Sequence, residues 1–287
     1  MTRISSQITA LLVAGACLAP GVALAQDFLS TPWQSEGDAG TRADLPPGLQ
    51  SARLLPGWVD AQGDRVMALE LQLEPGWKTY WRTPGDTGLP PHFDWKGSQN
   101  LKDVTFHWPA PQPIRSGDKL EMGYHDQLVL PFTAHATDAA KPVTIASQVE
   151  LGLCESICVP AYLELQADPA GSQTDPEILT AMQAEPTRLA DHPACHLTQL
   201  ADGMRLSVAL PSQDVTLAAI ELMDRPEVWV SSAQLVDEEQ GPSAVVDMVG
   251  PSGEPFDVDP AALRVTLVSG SEGQSTAVDM VGCDLRG

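Results

Sequence analysis

The sequence predicts an all-β protein made of two β-sandwich domains joined by a linker with one short helix. Three observations carry that reading. Apolar residues recur with period two in many short runs, as half-buried strands require. Gly- and Pro-rich pieces separate the runs at turn-like spacing, with 23 Gly and 25 Pro spread through 287 residues without a repeat. Helical periodicity is nearly absent, and many short strands with such turns fit sandwiches.

Along the chain, residues 1–25 read as an export signal. Arg3 precedes an apolar run from about Ile8, which ends in Ala23-Leu24-Ala25, so cleavage is expected before Gln26. Residues 26–50 are an acidic, Pro/Gly-rich leader. The first β-domain, 51–170, holds the runs "VMALELQL", "VTFHW", "QLVLPFTAHA", "VTIASQVEL" and "YLELQA". In the first of these Met67, Leu69, Leu71 and Leu73 alternate with Ala68, Glu70 and Gln72. Turn-rich pieces "EPGWK", "TPGDTGLPP" and "RSGD" divide the runs. The linker, 171–190, contains the one helical stretch, with Asp175 as cap, Pro176 at the first position and Pro186 as stop. The second β-domain, 191–287, holds "MRLSVAL", "EVWV", "SAVVDMV", "LRVTLVS" and "TAVDMVGC". Five of the seven tryptophans lie between 58 and 108 and only Trp229 lies in the second domain, so the two domains are expected to differ in role.

The formal net charge of −22 argues against nucleic acid or an anionic membrane surface as a partner. No segment after the signal approaches the ~20 apolar residues of a spanning helix, so no membrane span is expected in the mature protein. Motifs for a nucleophile elbow, a phosphate-binding loop or a zinc hydrolase are missing, and the six histidines stand apart.

What remains is cysteine. With Cys17 in the signal, four are left: Cys154, Cys158, Cys195 and Cys283, which allow three pairings. Cys195 and Cys283 stand at the two ends of the second domain. By loop-closure entropy a bridge between them would stabilise by roughly 4–5 kcal/mol, against about 2 for the ring from Cys154 to Cys158. The long bridge reads as structural, and the short one is poorly explained as a staple. Residues four apart in a strand lie about 13 Å from each other, so "CESIC" must turn back on itself before a bond can form. Small or exposed rings of this kind are the labile ones. A staple, a metal clip and a redox centre all stay open at this point. His192 and His196 flank Cys195 and soft ligands suit Cu(I), but the eight methionines are scattered and export favours disulfides over free thiolates. No metal site is assigned.

The stretches "GWKTYWRTPGDTGLPPHFDW", "WPAP", "GYHDQLVLPF" and "LGLCESICVPAYLEL" resemble, in that order, the N-terminal periplasmic domain of the DsbD thiol:disulfide interchange proteins. The variant of suppressor-of-copper-sensitivity B (ScsB) proteins is the most similar, and its extra domain resembles the second β-domain here. The resemblance implies immunoglobulin-like sandwiches and a periplasmic location. It implies dithiol exchange at Cys154 and Cys158, with Cys158 exchanging, Cys154 resolving, and Tyr80 and Tyr124 shielding the pair. It further implies reducing equivalents taken from a thioredoxin-like domain of a membrane electron-transfer protein and passed to periplasmic disulfide oxidoreductases, without a bound cofactor. Any enzymatic activity would be that of a thiol-disulfide oxidoreductase. The phenylalanine that caps the site in the best-known members has no counterpart in "PIRSGDKLEMGY", which leaves the shielding loop unidentified. The rival reading is an interaction module with two structural disulfides, and a copper binder is a third.

Overall fold

The computed structural model describes residues 45–117, 119–238 and 241–286. The predicted export signal and residues 26–44 of the leader fall outside those residues. Ten strands build the first sandwich: β1 (Leu49–Val59), β2 (Arg65–Leu73), β3 (Lys78–Tyr80), β4 (His92–Asp94), β5 (Leu101–Phe106), β6 (Gln112–Ser116), β7 (Lys119–His125), β8 (Gln127–Ala136), β9 (Ala146–Cys154) and β10 (Cys158–Gln166). One sheet has the order β1-β2-β8-β5 and the other β10-β9-β3-β7-β6, with β4 added against β9. β1 begins at Leu49, inside the stretch read as leader.

The alternation that predicts the strands also fills the core. Met67, Leu69 and Leu71 of β2, Leu128, Leu130 and Phe132 of β8, and Val149, Leu151 and Leu153 of β9 meet between the sheets. At about 25 cal/mol per Å² of apolar surface removed from water, such side chains supply the main stabilising term. An aromatic cluster of Phe93, Trp95, Phe106 and Phe132, with ring centroids 4.7–6.2 Å apart, packs into this core.

β2 is buried on both faces, not half-buried as its period suggests. The reason is the linker helix α1 (Pro176–Gln183). Asp175 caps it by accepting from the Glu177 N–H at 2.8 Å, and Pro176 opens it. Its Ile178 then packs on the outward residues Leu55, Val66 and Ala68.

The second sandwich contains β11 (Thr187–Arg188), β12 (Ala194–Gln199), β13 (Met204–Ala209), β14 (Val215–Leu222), β15 (Trp229–Val230), β16 (Gln234–Glu238), β17 (Gly241–Val249), β18 (Leu263–Ser271), β19 (Gln274–Val281) and β20 (Asp284–Leu285). Its sheets have the orders β11-β19-β18-β14 and β15-β17-β13-β12-β20, with β16 against β17. Leu206, Val208, Val246, Met248, Val265 and Leu267 form its core. The two sandwiches are packed together, because Ala219, Val268 and Ala277 of the second join the apolar cluster of the first. Among the described residues no helix is long and apolar enough to cross a membrane.

Candidate functional site

β9 and β10 form an antiparallel hairpin in which Cys154 lies directly opposite Cys158, with Glu155, Ser156 and Ile157 as the tip. The tip is closed by the Glu155 N–H donating to the Ile157 carbonyl at 3.2 Å. The two cysteines are joined, with their Cα atoms 4.1 Å apart. Their environments differ sharply. Cys154 is 1% exposed, whereas Cys158 faces solvent beside Ile157, which is 70% exposed. Tyr162 is also exposed on the same hairpin.

Strand parity determines what surrounds the pair. Lys78 of β3 pairs with Cys154 on one side and with His125 of β7 on the other, and Tyr80 pairs with Gly123. Residues opposite one another, or two apart, share a face. Lys78, Tyr80, Glu121, Gly123, His125, Gly152 and Cys154 therefore lie on the outer face of this sheet. Met122, Tyr124, Leu151 and Leu153 lie on the core side.

On the outer face the Tyr80 hydroxyl donates to Cys154 Sγ at 3.0 Å and lies 3.3 Å from Cys158 Sγ. It also donates to Glu121 Oε2 at 3.4 Å, so its single proton is shared between the Cys154 sulfur and the carboxylate. Glu121 forms a buried ion pair with Lys78 at 3.0 Å, the side chains being 3% and 4% exposed. Ser116 bonds to Lys78, and Thr87 donates to the other Glu121 oxygen. Burial, aided by the neighbouring Glu121 carboxylate, pushes the Tyr80 phenol far above its ordinary value. It therefore stays a neutral donor at any physiological pH. Burial alone would raise Glu121, but hydrogen bonds from Ser116, Thr87 and Lys78 outweigh it and hold the carboxyl below its ordinary value. The network is a neutral O–H donor aimed at the sulfurs, with a fixed ion pair behind it.

The cover over this network comes from the connection between β3 and β4, "TPGDTGLPP", which the sequence marks only as turn-rich. Leu89 lies on Gly152, where any side chain would meet Leu89 Cβ at 2.7 Å and the Tyr80 ring at 3.1 Å. On its other side the Tyr80 ring lies against Gly88, where a Cβ would come within 2.9 Å of it. The loop thus sandwiches the ring against β9.

Of the residues singled out by sequence, Cys154, Cys158 and Tyr80 come together. Tyr124 does not. It sits in the core, its hydroxyl donates to the Pro109 carbonyl at 2.8 Å, and burial raises its pKa strongly. The expectation that Tyr124 shields the pair is corrected by parity, since adjacent residues of β7 point to opposite faces. Lys78 and Glu121 were missed, although Lys78 stands in one of the family-like motifs and Glu121 in the quoted stretch "PIRSGDKLEMGY". The signal was available in the period-two spacing of Lys78 with Tyr80, and of Glu121 with Gly123 and His125. His125 lies at the rim of the site, its Nδ1 3.1 Å from the Trp77 carbonyl and its Nε2 3.2 Å from Glu272.

Cys195 and Cys283 are joined in the second sandwich, 88 residues apart in sequence and with Cα atoms 5.9 Å apart. Both are buried in the core of that sandwich. His196 Nδ1 lies 3.1 Å from the Arg286 carbonyl. Among the described residues no group of three or more His, Cys, Asp or Glu is placed to hold a metal ion.

A search of curated proteins found no match. Residues 51–169 match the family model described as "Thiol:disulfide interchange protein DsbD, N-terminal". The fold is similar to that of the N-terminal periplasmic domain of ScsB from Proteus mirabilis, with a TM-score of 0.54 and 24% sequence identity. That likeness covers 79% of this chain and 91% of the solved one, so it extends beyond the first sandwich. The segment 51–169 that matches the DsbD N-terminal family model contains the whole cysteine hairpin.

Proposed function

We propose that the protein is a periplasmic thiol:disulfide interchange protein that carries reducing equivalents on Cys154 and Cys158. The observation that carries this reading is the asymmetry of the pair. One residue, Cys158, is exposed at the hairpin tip, and the other, Cys154, is buried under a hydroxyl that donates to it. A structural staple needs no such arrangement, whereas exchange requires one accessible sulfur and a stabilised leaving sulfur.

In the reduced state the Cys158 thiolate attacks a sulfur of the acceptor's disulfide, forming a mixed disulfide and expelling the acceptor's first thiolate. Cys154 then gives up its proton and attacks Cys158 Sγ. The internal bond reforms, and the acceptor's second thiolate leaves. Two electrons have passed to the acceptor, whose two thiolates take up the proton released by Cys154 and one from solvent. Recharging is the reverse: a donor dithiol attacks Cys158, and Cys154 leaves as a thiolate that accepts the Tyr80 hydrogen bond. The donor is a thioredoxin-like domain of a membrane electron-transfer protein, and the acceptors are periplasmic disulfide oxidoreductases. Ile157 and Tyr162 offer such partners an apolar rim beside Cys158.

The reading is tested by equilibrating the pair with a thiol–disulfide buffer of known potential. A potential above about −300 mV, the level below which structural disulfides of secreted proteins fall, supports exchange. A value well below it makes the pair a staple and favours an interaction module.

A further inference from the structure

The loop that covers Tyr80 is held from two sides. Its own sandwich contributes the Met122 N–H, which donates to the Pro84 carbonyl at 3.0 Å, and Glu121, which accepts from Thr87. The second sandwich contributes more. The Asp86 N–H donates to Ser232 Oγ at 2.7 Å, and the Ser232 N–H donates back to Asp86 Oδ1 at 2.8 Å. Glu221 of β14 accepts from Arg82 Nε at 3.0 Å, from Arg82 Nη2 at 2.8 Å and from the Thr83 hydroxyl at 3.0 Å. Arg82 is itself fixed over the Trp81 ring, 3.8 Å from its centroid.

Close packing does not hold this part of the loop. A cavity of about 410 Å³ lies between it and the second sandwich, lined among others by Pro84, Gly85, Leu217, Ile220 and Trp229. The loop is suspended across that space by discrete hydrogen bonds to Glu221 and Ser232. The Asp86–Ser232 Oγ bond is a neutral one that contributes modestly and that a single substitution can remove, whereas the Arg82–Glu221 pair is charge-assisted and bidentate.

We propose that the second sandwich is the clamp of the exchange site. Glu221 and Ser232 are positioning residues that hold the β3–β4 loop down on Tyr80, keep Cys154 buried, and so confine attack to Cys158. Glu221 belongs to β14 and Ser232 to the segment after β15, both more than 60 residues from Cys158 in sequence. The inference rests on the reading of the pair as an exchange centre, but its test does not depend on any partner.

In a Cys17→Ala, Cys158→Ser background Cys154 is left as the free thiol, since Cys195 and Cys283 are bridged. Its rate of alkylation by iodoacetamide in the full chain reports how often the cover opens. Adding Ser232→Ala should raise that rate about two- to tenfold, the effect of losing one hydrogen bond, with thermal unfolding unchanged. Ser232→Thr, which keeps the hydroxyl, should restore the slow rate. Ser275→Ala removes a contact to the Pro111 carbonyl elsewhere between the sandwiches and should leave the rate as it is. In the unsubstituted protein the amide protons of Asp86 and Ser232 should exchange with solvent together. Equal alkylation rates with and without Ser232→Ala, or an Asp86 amide that exchanges freely, would overturn the clamp. Faster alkylation in a protein that exchanges with no thioredoxin-like partner would support the clamp and remove only the exchange reading.

Discussion

The buried ion pair behind the disulfide gives the sharpest energetic test. Lys78 Nζ and Glu121 Oε2 are 3.0 Å apart with both side chains out of water. At an effective dielectric constant of about 20 their attraction is about 5–6 kcal/mol, against a desolvation cost of similar order. Removing one charge leaves that cost uncompensated. Glu121→Gln keeps the shape and can still accept from Thr87, yet it strands the Lys78 ammonium. It should cost about 3–5 kcal/mol. Adding Lys78→Met removes the stranded charge and should recover at least half of the loss. Urea unfolding followed by tryptophan fluorescence reads this, because Trp58, Trp77, Trp81, Trp95 and Trp108 all lie in the first sandwich and only Trp229 in the second. A cost below about 1 kcal/mol for Glu121→Gln, the range of exposed pairs, would refute the reasoning. So would a double variant whose cost equals the sum of the two single ones.

Three further outcomes are expected. Tyr80→Phe removes the donor to Cys154 and should slow thiol–disulfide exchange roughly ten- to a hundredfold with the fold intact, measured by stopped-flow reduction with a thioredoxin-like protein. Mild dithiothreitol should open Cys154–Cys158 first and leave Cys195–Cys283, which is buried, joined in non-reducing peptide maps; losing that second bridge by Cys195→Ala with Cys283→Ala should cost about 4–5 kcal/mol. The Glu121 carboxyl has a folded pKa below its ordinary 4.5, so it adds stability that is present above pH 4.5 and lost as the pH falls further; Glu121→Gln should flatten the stability curve in that acid range.

The strands were legible because their apolar period is local. "VMALELQL" announces β2 whatever lies around it. That β2 is covered on its outer face was not legible, since Ile178 reaches Val66 and Ala68 from more than 100 residues away. The site divides in the same way. Cysteine spacing and rarity pointed to the hairpin, and the family motifs pointed to Tyr80. Lys78 and Glu121 are 43 residues apart and meet only through the β3–β7 register, so their pairing needed the sheet. Tyr124 shows the converse. A motif placed it near the pair, and a single step of strand parity turned it into the core. The covering loop was hidden for a further reason: a Gly/Pro-rich turn says that the chain bends, not what it lies on, and part of what fixes this one is in the other sandwich.

The central claim is that Cys158 exchanges and Cys154 resolves, and trapping tests it most directly. A Cys154→Ser variant cannot resolve a mixed disulfide, so incubation with an oxidised thioredoxin-like partner should yield a covalent complex through Cys158, seen as a reductant-sensitive band and mapped by mass spectrometry. Cys158→Ser, which leaves only the buried Cys154 thiol in the hairpin, should trap far less. Equal trapping by both variants, trapping through Cys154 alone, or no complex with either would contradict the account.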